Sequence, residues 1–139
     1  MIEIELANET ELVEIHFAAG LPGFPAARRF TLEPWGGPES PFMMMSAIDD
    51  PDVGFVVVAP WVFYPDYEFE LDRATADRLG LEDAAETVVV CVVTLADCAE
   101  DATVNLLGPI VINRATLEAC QAVLPASGYH VRAPLARAA

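Results

Sequence analysis

Thr87-Val88-Val89-Val90-Cys91-Val92-Val93-Thr94-Leu95 is the strongest strand signal in the chain. Its valines and threonines branch at Cβ, which crowds a helix but fits a pleated, extended backbone. Upstream, Val53 to Ala59 has the same character, reads as a central strand and is ended by Pro60. Downstream, Thr103 to Leu107 and Pro109 to Asn113 read as two strand pieces around Gly108, a bulge or a close backbone approach. Thr116 to Leu124 suits a helix or a strand, and Gly128 to Pro134 ends the pattern.

Toward the N-terminus, apolar and polar residues alternate in Ile2-Glu3-Ile4-Glu5-Leu6 and in Val13-Glu14-Ile15-His16-Phe17, the period of a half-buried strand. Gly20-Leu21-Pro22-Gly23-Phe24-Pro25 and Pro34 to Pro38 are turns, and Arg28 to Glu33 and Phe42 to Ile48 are further strand candidates. Tyr67, Phe69 and Leu71 alternate with Glu68 and Glu70, predicting another half-exposed strand. Asp72 is a suitable N-cap for a short helix over Arg73 to Leu79, with Gly80 at the C′ position. Many short strands punctuated by Gly and Pro favour a mainly β fold: a small antiparallel β-barrel-like domain with one or two short helices. No repeat or composition shift divides the chain, so residues 1–139 are expected to form a single domain.

The 139 residues are 54% hydrophobic, which argues against a disordered acidic chain. No apolar run approaches the roughly 18 residues of a membrane span. Met1-Ile2-Glu3-Ile4-Glu5 lacks the basic start of a secretory signal, so a cytoplasmic location is expected. Acidic residues number 22 against 7 basic ones, and the formal net charge is −15. No lysine occurs. That field repels nucleic acid and anionic membranes and attracts basic proteins. Acidity serving only solubility, a biased genome or a salty cytoplasm is the plainer alternative, and composition does not separate the two.

Chemistry-bearing patterns are scarce. His16 and His130 have no sequence partners that suggest a catalytic triad, and no phosphate-cradling glycine loop occurs. Cys91, Cys98 and Cys120 form neither a metal-ligand pair nor a disulfide framework. Cys91 reads as a small buried hydrophobe, and the acids around Cys98 raise a thiol's pKa, the wrong direction for a nucleophile. No enzymatic activity and no cofactor are expected. Asp49-Asp50-Pro51-Asp52 is acidic enough for a hard cation but lacks calcium-loop spacing, and a solvated turn is the preferred reading. A small-molecule or divalent-cation-binding β-barrel module is the alternative function.

Pro60-Trp61-Val62-Phe63-Tyr64-Pro65-Asp66-Tyr67-Glu68-Phe69-Glu70-Leu71 is the candidate binding segment. Aromatic rings offer rigid apolar area and carboxylates accept bidentate bonds from arginine. Alternation puts Asp66, Glu68 and Glu70 on one face. They are the candidate salt-bridge acceptors, with Trp61 and Tyr64 as apolar anchors. Asn105 and Asn113 are candidate backbone-orienting or interface groups flanking Gly108. The competing reading, in which the rings fill the core and the acids face water, holds for Phe69 and stays open for the acids.

Gly20 to Phe24, Gly54-Phe55-Val56-Val57, the 60–71 segment and Ala102-Thr103-Val104-Asn105-Leu106-Leu107-Gly108-Pro109-Ile110-Val111-Ile112-Asn113, in this order and spacing, resemble the flagellar assembly factor FliW family. The resemblance implies a non-enzymatic regulator. Such proteins bind the translational regulator CsrA, a basic RNA-binding dimer, away from its RNA surface, and bind newly made flagellin, which releases CsrA. It also implies a chaperone-like shielding of flagellin. The stretch Ala133 to Ala139 is short and featureless, so a contact built from a longer tail is expected to be absent. No coiled-coil heptad is visible and a monomer is expected.

Overall fold

The computed structural model describes residues 13–18, 20–21, 26–37, 39–50, 52–82, 86–95, 101–124 and 127–135. The strand expected at Ile2 to Leu6, most of the Gly20 to Pro25 loop and Cys98 lie outside them. Nine strands are described: β1 Val13–Phe17, β2 Arg29–Pro34, β3 Phe42–Ala47, β4 Gly54–Val58, β5 Thr87–Thr94, β6 Thr103–Val104, β7 Ile110–Asn113, β8 Glu118–Gln121 and β9 Ala133–Pro134. The sheet order is β4-β3-β2-β1-β8-β7-β5-β6-β9, and a further β4–β5 pairing closes seven strands into a barrel. The pairings are antiparallel except β1 with β8, which is parallel. Closure removes the edges that an open sheet leaves exposed.

Period-two alternation sorts the strands into two environments. Ile15, Phe17, Phe30, Leu32, Met45, Val57, Val90, Ile110 and Ile112 point inward and are at most 1% exposed. Their neighbours Val58, Cys91, Val93 and Val111 point outward, yet they are also buried. The chain between β4 and β5 covers that outer wall: a 3-10 turn Pro60–Val62, a segment through residue 72 and the helix α1 Arg73–Leu79. A strand covered on both faces needs a continuous apolar run, which is why β5 lacks the alternation seen in β1.

The expected helix is present with its expected caps. The Asp72 carboxylate accepts bonds from the Thr75 backbone N–H at 3.3 Å and the Thr75 hydroxyl at 2.6 Å. These bonds hold the Asp72 carboxyl below its ordinary range. Gly80 closes the helix at φ 69°, where a side chain is strained.

The strand expected at Tyr67 to Leu71 is corrected: the segment has no ladder partner among the described residues. It crosses the outer face of β5, whose two edges are already taken by β4 on one side and β6 and β7 on the other. The alternation survives without the ladder, since Tyr67 is buried, Phe69 and Leu71 half-buried, and Glu68 and Glu70 exposed.

Of the two features expected at Gly108 the bulge is present, and the close neighbour is a side chain rather than another backbone. Residues 105–109 stand opposite just Cys91 and Val92 of β5, bulging the chain between β6 and β7. A Cβ on Gly108 would lie 2.8 Å from Gln121 Nε2, which donates to the Gly108 carbonyl. The ambiguous stretch at 116–124 resolves as β8, entered through Leu117 at φ 65°.

Candidate partner-binding site

No ladder holds the 63–72 segment: the N–H groups of Phe63, Tyr64 and Tyr67 bond to nearby backbone carbonyls, and side chains pin the segment to the rest of the fold. Trp61 Nε1 donates to the Tyr67 carbonyl at 2.7 Å, and the indole meets the Tyr67 ring edge-on at 5.9 Å. The Tyr67 hydroxyl donates to the Leu106 carbonyl at 2.7 Å. Burial pushes that phenol far above its ordinary range, so it remains a neutral donor. Beside it, burial pushes the Cys91 thiol up to about 12. Cys91 is 0% exposed, as the reading of a buried hydrophobe requires.

Tyr129 grips the segment from the C-terminal side. Its hydroxyl donates to the Glu68 carbonyl at 2.9 Å and accepts from the Glu68 N–H at 3.0 Å. Its ring packs on Tyr67 with centroids 4.6 Å apart. The Tyr64 hydroxyl donates to the Pro134 carbonyl, tying the segment to β9.

The candidate side chains divide into distinct roles. Asp66, Glu68 and Glu70 are exposed, and no salt bridge among the described residues engages them. Trp61 and Glu68 line a half-open groove of about 720 Å³ between the 65–71 segment and α1. Its floor includes Val89 and Val111, and its far wall Ala76, Leu81 and Glu82. Glu70 lines an adjoining groove of about 490 Å³ with Asp72, Val123 and Leu124. Phe69 and Leu71 line both grooves. Tyr64, Asp66, Asn105 and Asn113 line neither.

Both asparagines orient backbone. Asn105 Oδ1 accepts from the N–H groups of Leu107 and Gly108 at 3.0 and 2.9 Å. Asn113 is 4% exposed; its Nδ2 donates to the Leu79 carbonyl at 2.7 Å, and its Oδ1 accepts from Ala115 N–H at 2.8 Å. It thereby joins the end of α1 to the turn before Leu117.

Glu82, Ala76 and Tyr129 were not among the candidates. Glu82 stands 14 residues after Glu68 and reaches the groove only because Gly80 turns the chain back toward β5. Nothing in the sequence marks that meeting. The Tyr129 bond to a backbone 61 residues away is equally silent.

On another face, Arg29 donates to Asp49 at 2.9 Å, and Asp50 Oδ1 accepts from the Asp52 N–H at 3.1 Å. Two of the aspartates weighed as cation ligands are thus engaged in an ion pair and a turn. Among the described residues no group of three or more His, Cys, Asp or Glu could hold a metal ion.

With the geometry in place, the family model described as FliW protein matches residues 2–135. The chain belongs to the FliW family. The flagellar assembly factor FliW of Bacillus licheniformis is 34% identical over 138 residues, covering 97% of this chain and 96% of its own length. The FliW of Bacillus subtilis is 36% identical over 121 residues, covering 87% and 84%. A crystal structure of the flagellar assembly factor FliW matches with a TM-score of 0.83 at 29% identity, covering 97% of this chain and 89% of that one. The four-motif resemblance is borne out. FliW proteins are not enzymes, and the non-enzymatic reading stands on that membership. No helix among the described residues is long and apolar enough to cross a membrane.

Proposed function

We propose that this FliW-family chain is a cytoplasmic, monomeric regulator of flagellar assembly that binds the basic regulator CsrA and flagellin, antagonising CsrA and shielding flagellin in a chaperone-like way. The observation that supports this reading best is the exposed carboxylate row Asp66, Glu68 and Glu70 on a segment pinned by side chains beside an apolar groove. Within the described residues no cation neutralises the row in a salt bridge, so an incoming arginine or lysine meets available acceptors. A net charge of −15 lets the chain hold a basic RNA-binding protein without competing for its RNA.

The test is a titration of CsrA and flagellin, singly and in competition, against the wild type and Glu68→Lys/Glu70→Lys. The double variant is expected to keep the fold, because both residues are exposed, and to lose at least roughly tenfold in affinity, as expected when interface charges are reversed. Wild-type affinity in that variant moves the interface elsewhere. No binding of either partner by the wild type rejects the function.

A further inference from the structure

The groove beside α1 combines three features that the carboxylate row alone lacks. Its floor is closed, since Val89 and Val111 are 7% and 1% exposed. Its walls carry apolar side chains still partly open to water, among them Phe69, Leu71 and Leu81. The charged residues in its lining are two exposed glutamates, Glu68 from the pinned segment and Glu82 from the turn after α1. Its volume, about 720 Å³, falls within the range of roughly 300–1,000 Å³ typical of sites that enclose small ligands.

We propose that this groove is an anchor pocket for an amphipathic segment of a partner protein, in which several aliphatic or aromatic side chains from one face of the segment fill the groove and arginine or lysine residues flanking them pair with Glu68 and Glu82. Because the pocket serves the partner-binding reading above, it deepens that reading by adding an apolar anchor and a second carboxylate from a different element. The lining settles the chemistry of the occupant. A basic flank supplies charge partners to both exposed carboxylates that line the apolar trough. A second copy of this chain brings a −15 surface against the same acidic rim, which self-repulsion opposes. An uncharged apolar molecule fills the trough and leaves both carboxylates without partners.

Two variants separate the anchor from the charges. Ala76→Trp, on the wall contributed by α1, obstructs the trough and leaves every carboxylate in place. Glu82→Lys reverses the distal rim at an exposed position and leaves the packing alone, so it remains readable if the tryptophan impairs folding. The probe is a synthetic 14-residue helical peptide with leucines spaced three and four residues apart and flanking arginines. Controls replace the arginines with glutamates or the leucines with serines.

Fluorescence anisotropy is expected to show binding of the basic peptide and at least a tenfold loss with either protein variant or either control peptide. Amide shifts in a parallel NMR titration are expected at Phe69, Leu81 and Glu82. Peptide binding that survives both variants, or shifts centred on β1 and β2, overturns the pocket. Loss of CsrA and flagellin binding in Glu68→Lys/Glu70→Lys but not in Ala76→Trp or Glu82→Lys also overturns it, while leaving the regulator reading intact. Peptide bound in the groove by a protein that takes neither CsrA nor flagellin supports the pocket and rejects the regulator reading.

Discussion

Tyr129 shows how much of the acidic segment's shape depends on one hydroxyl. An extended segment outside a ladder is fixed only where other groups bond its peptides, and Tyr129 supplies both a donor and an acceptor to Glu68. Tyr129→Phe keeps the tilted ring packed on Tyr67 and removes just those two bonds. The expected cost is about 1–2 kcal/mol of global stability, the usual net worth of one or two such bonds. The local consequence is larger. Hydrogen exchange at the Glu68 amide is expected to accelerate strongly while Val90 and Ile112 in the barrel interior keep their protection. Unchanged exchange at Glu68 means that the segment is held by packing alone. Partner affinity is expected to fall with the same substitution, although Tyr129 need not touch the partner, because Glu68 is then no longer held in place.

Elements differ in how openly the sequence announces them. The helix was legible to the residue, since Asp72, Thr75 and Gly80 satisfy its ends locally. β5 was legible to within one residue, since seven of its eight residues branch at Cβ and leave the backbone little choice. Residues 67–71 have equally good alternation and yet form no strand. Alternation reports which side chains are buried, and it is blind to whether a sheet edge is free to receive the backbone. The parallel β1–β8 pairing was unreadable for a related reason: the partners His16 and Glu118 lie far apart in the chain and no local turn sets their register. At the site, the exposure of Glu68 and Glu70 follows from period two, whereas Glu82 joins the groove only through the tertiary packing of α1. The double-sided burial of β5 has a measurable consequence. Cys91 and Tyr67 both have folded pKa values above their ordinary 9.0 and 10.0, mainly because burial penalises their charged forms. A raised acid favours the folded state below its unfolded pKa and loses that contribution as pH rises toward the folded value. Stability is therefore expected to decline from about pH 9 toward the Cys91 value of about 12. Denaturant melts across that window are expected to show a shallower decline in Cys91→Ala, with the Tyr67 part remaining. An identical slope in variant and wild type removes Cys91 as a cause.

On the scale of the whole molecule, the question is whether −15 acts as a diffuse field or through one patch. Both attract a basic partner, and both weaken as salt shortens the Debye length from about 10 Å at 0.1 M to about 3 Å at 1 M. Salt dependence alone therefore does not separate them. Placement does. Glu68→Lys/Glu70→Lys changes the formal charge by four, from −15 to −15 + 4 = −11. Glu33→Lys/Glu39→Lys makes the same change at two exposed positions in and after β2 that line neither groove. If the patch steers, stopped-flow association with CsrA at low salt slows roughly tenfold or more in the first variant and much less in the second, since nearby charges dominate the oriented encounter. At 0.5 M salt the difference in association rates narrows, and what persists is faster dissociation in the first variant, from lost contacts at the docked interface. Equal slowing in both variants means that overall charge drives capture, and the carboxylate row is then an ordinary part of an acidic surface.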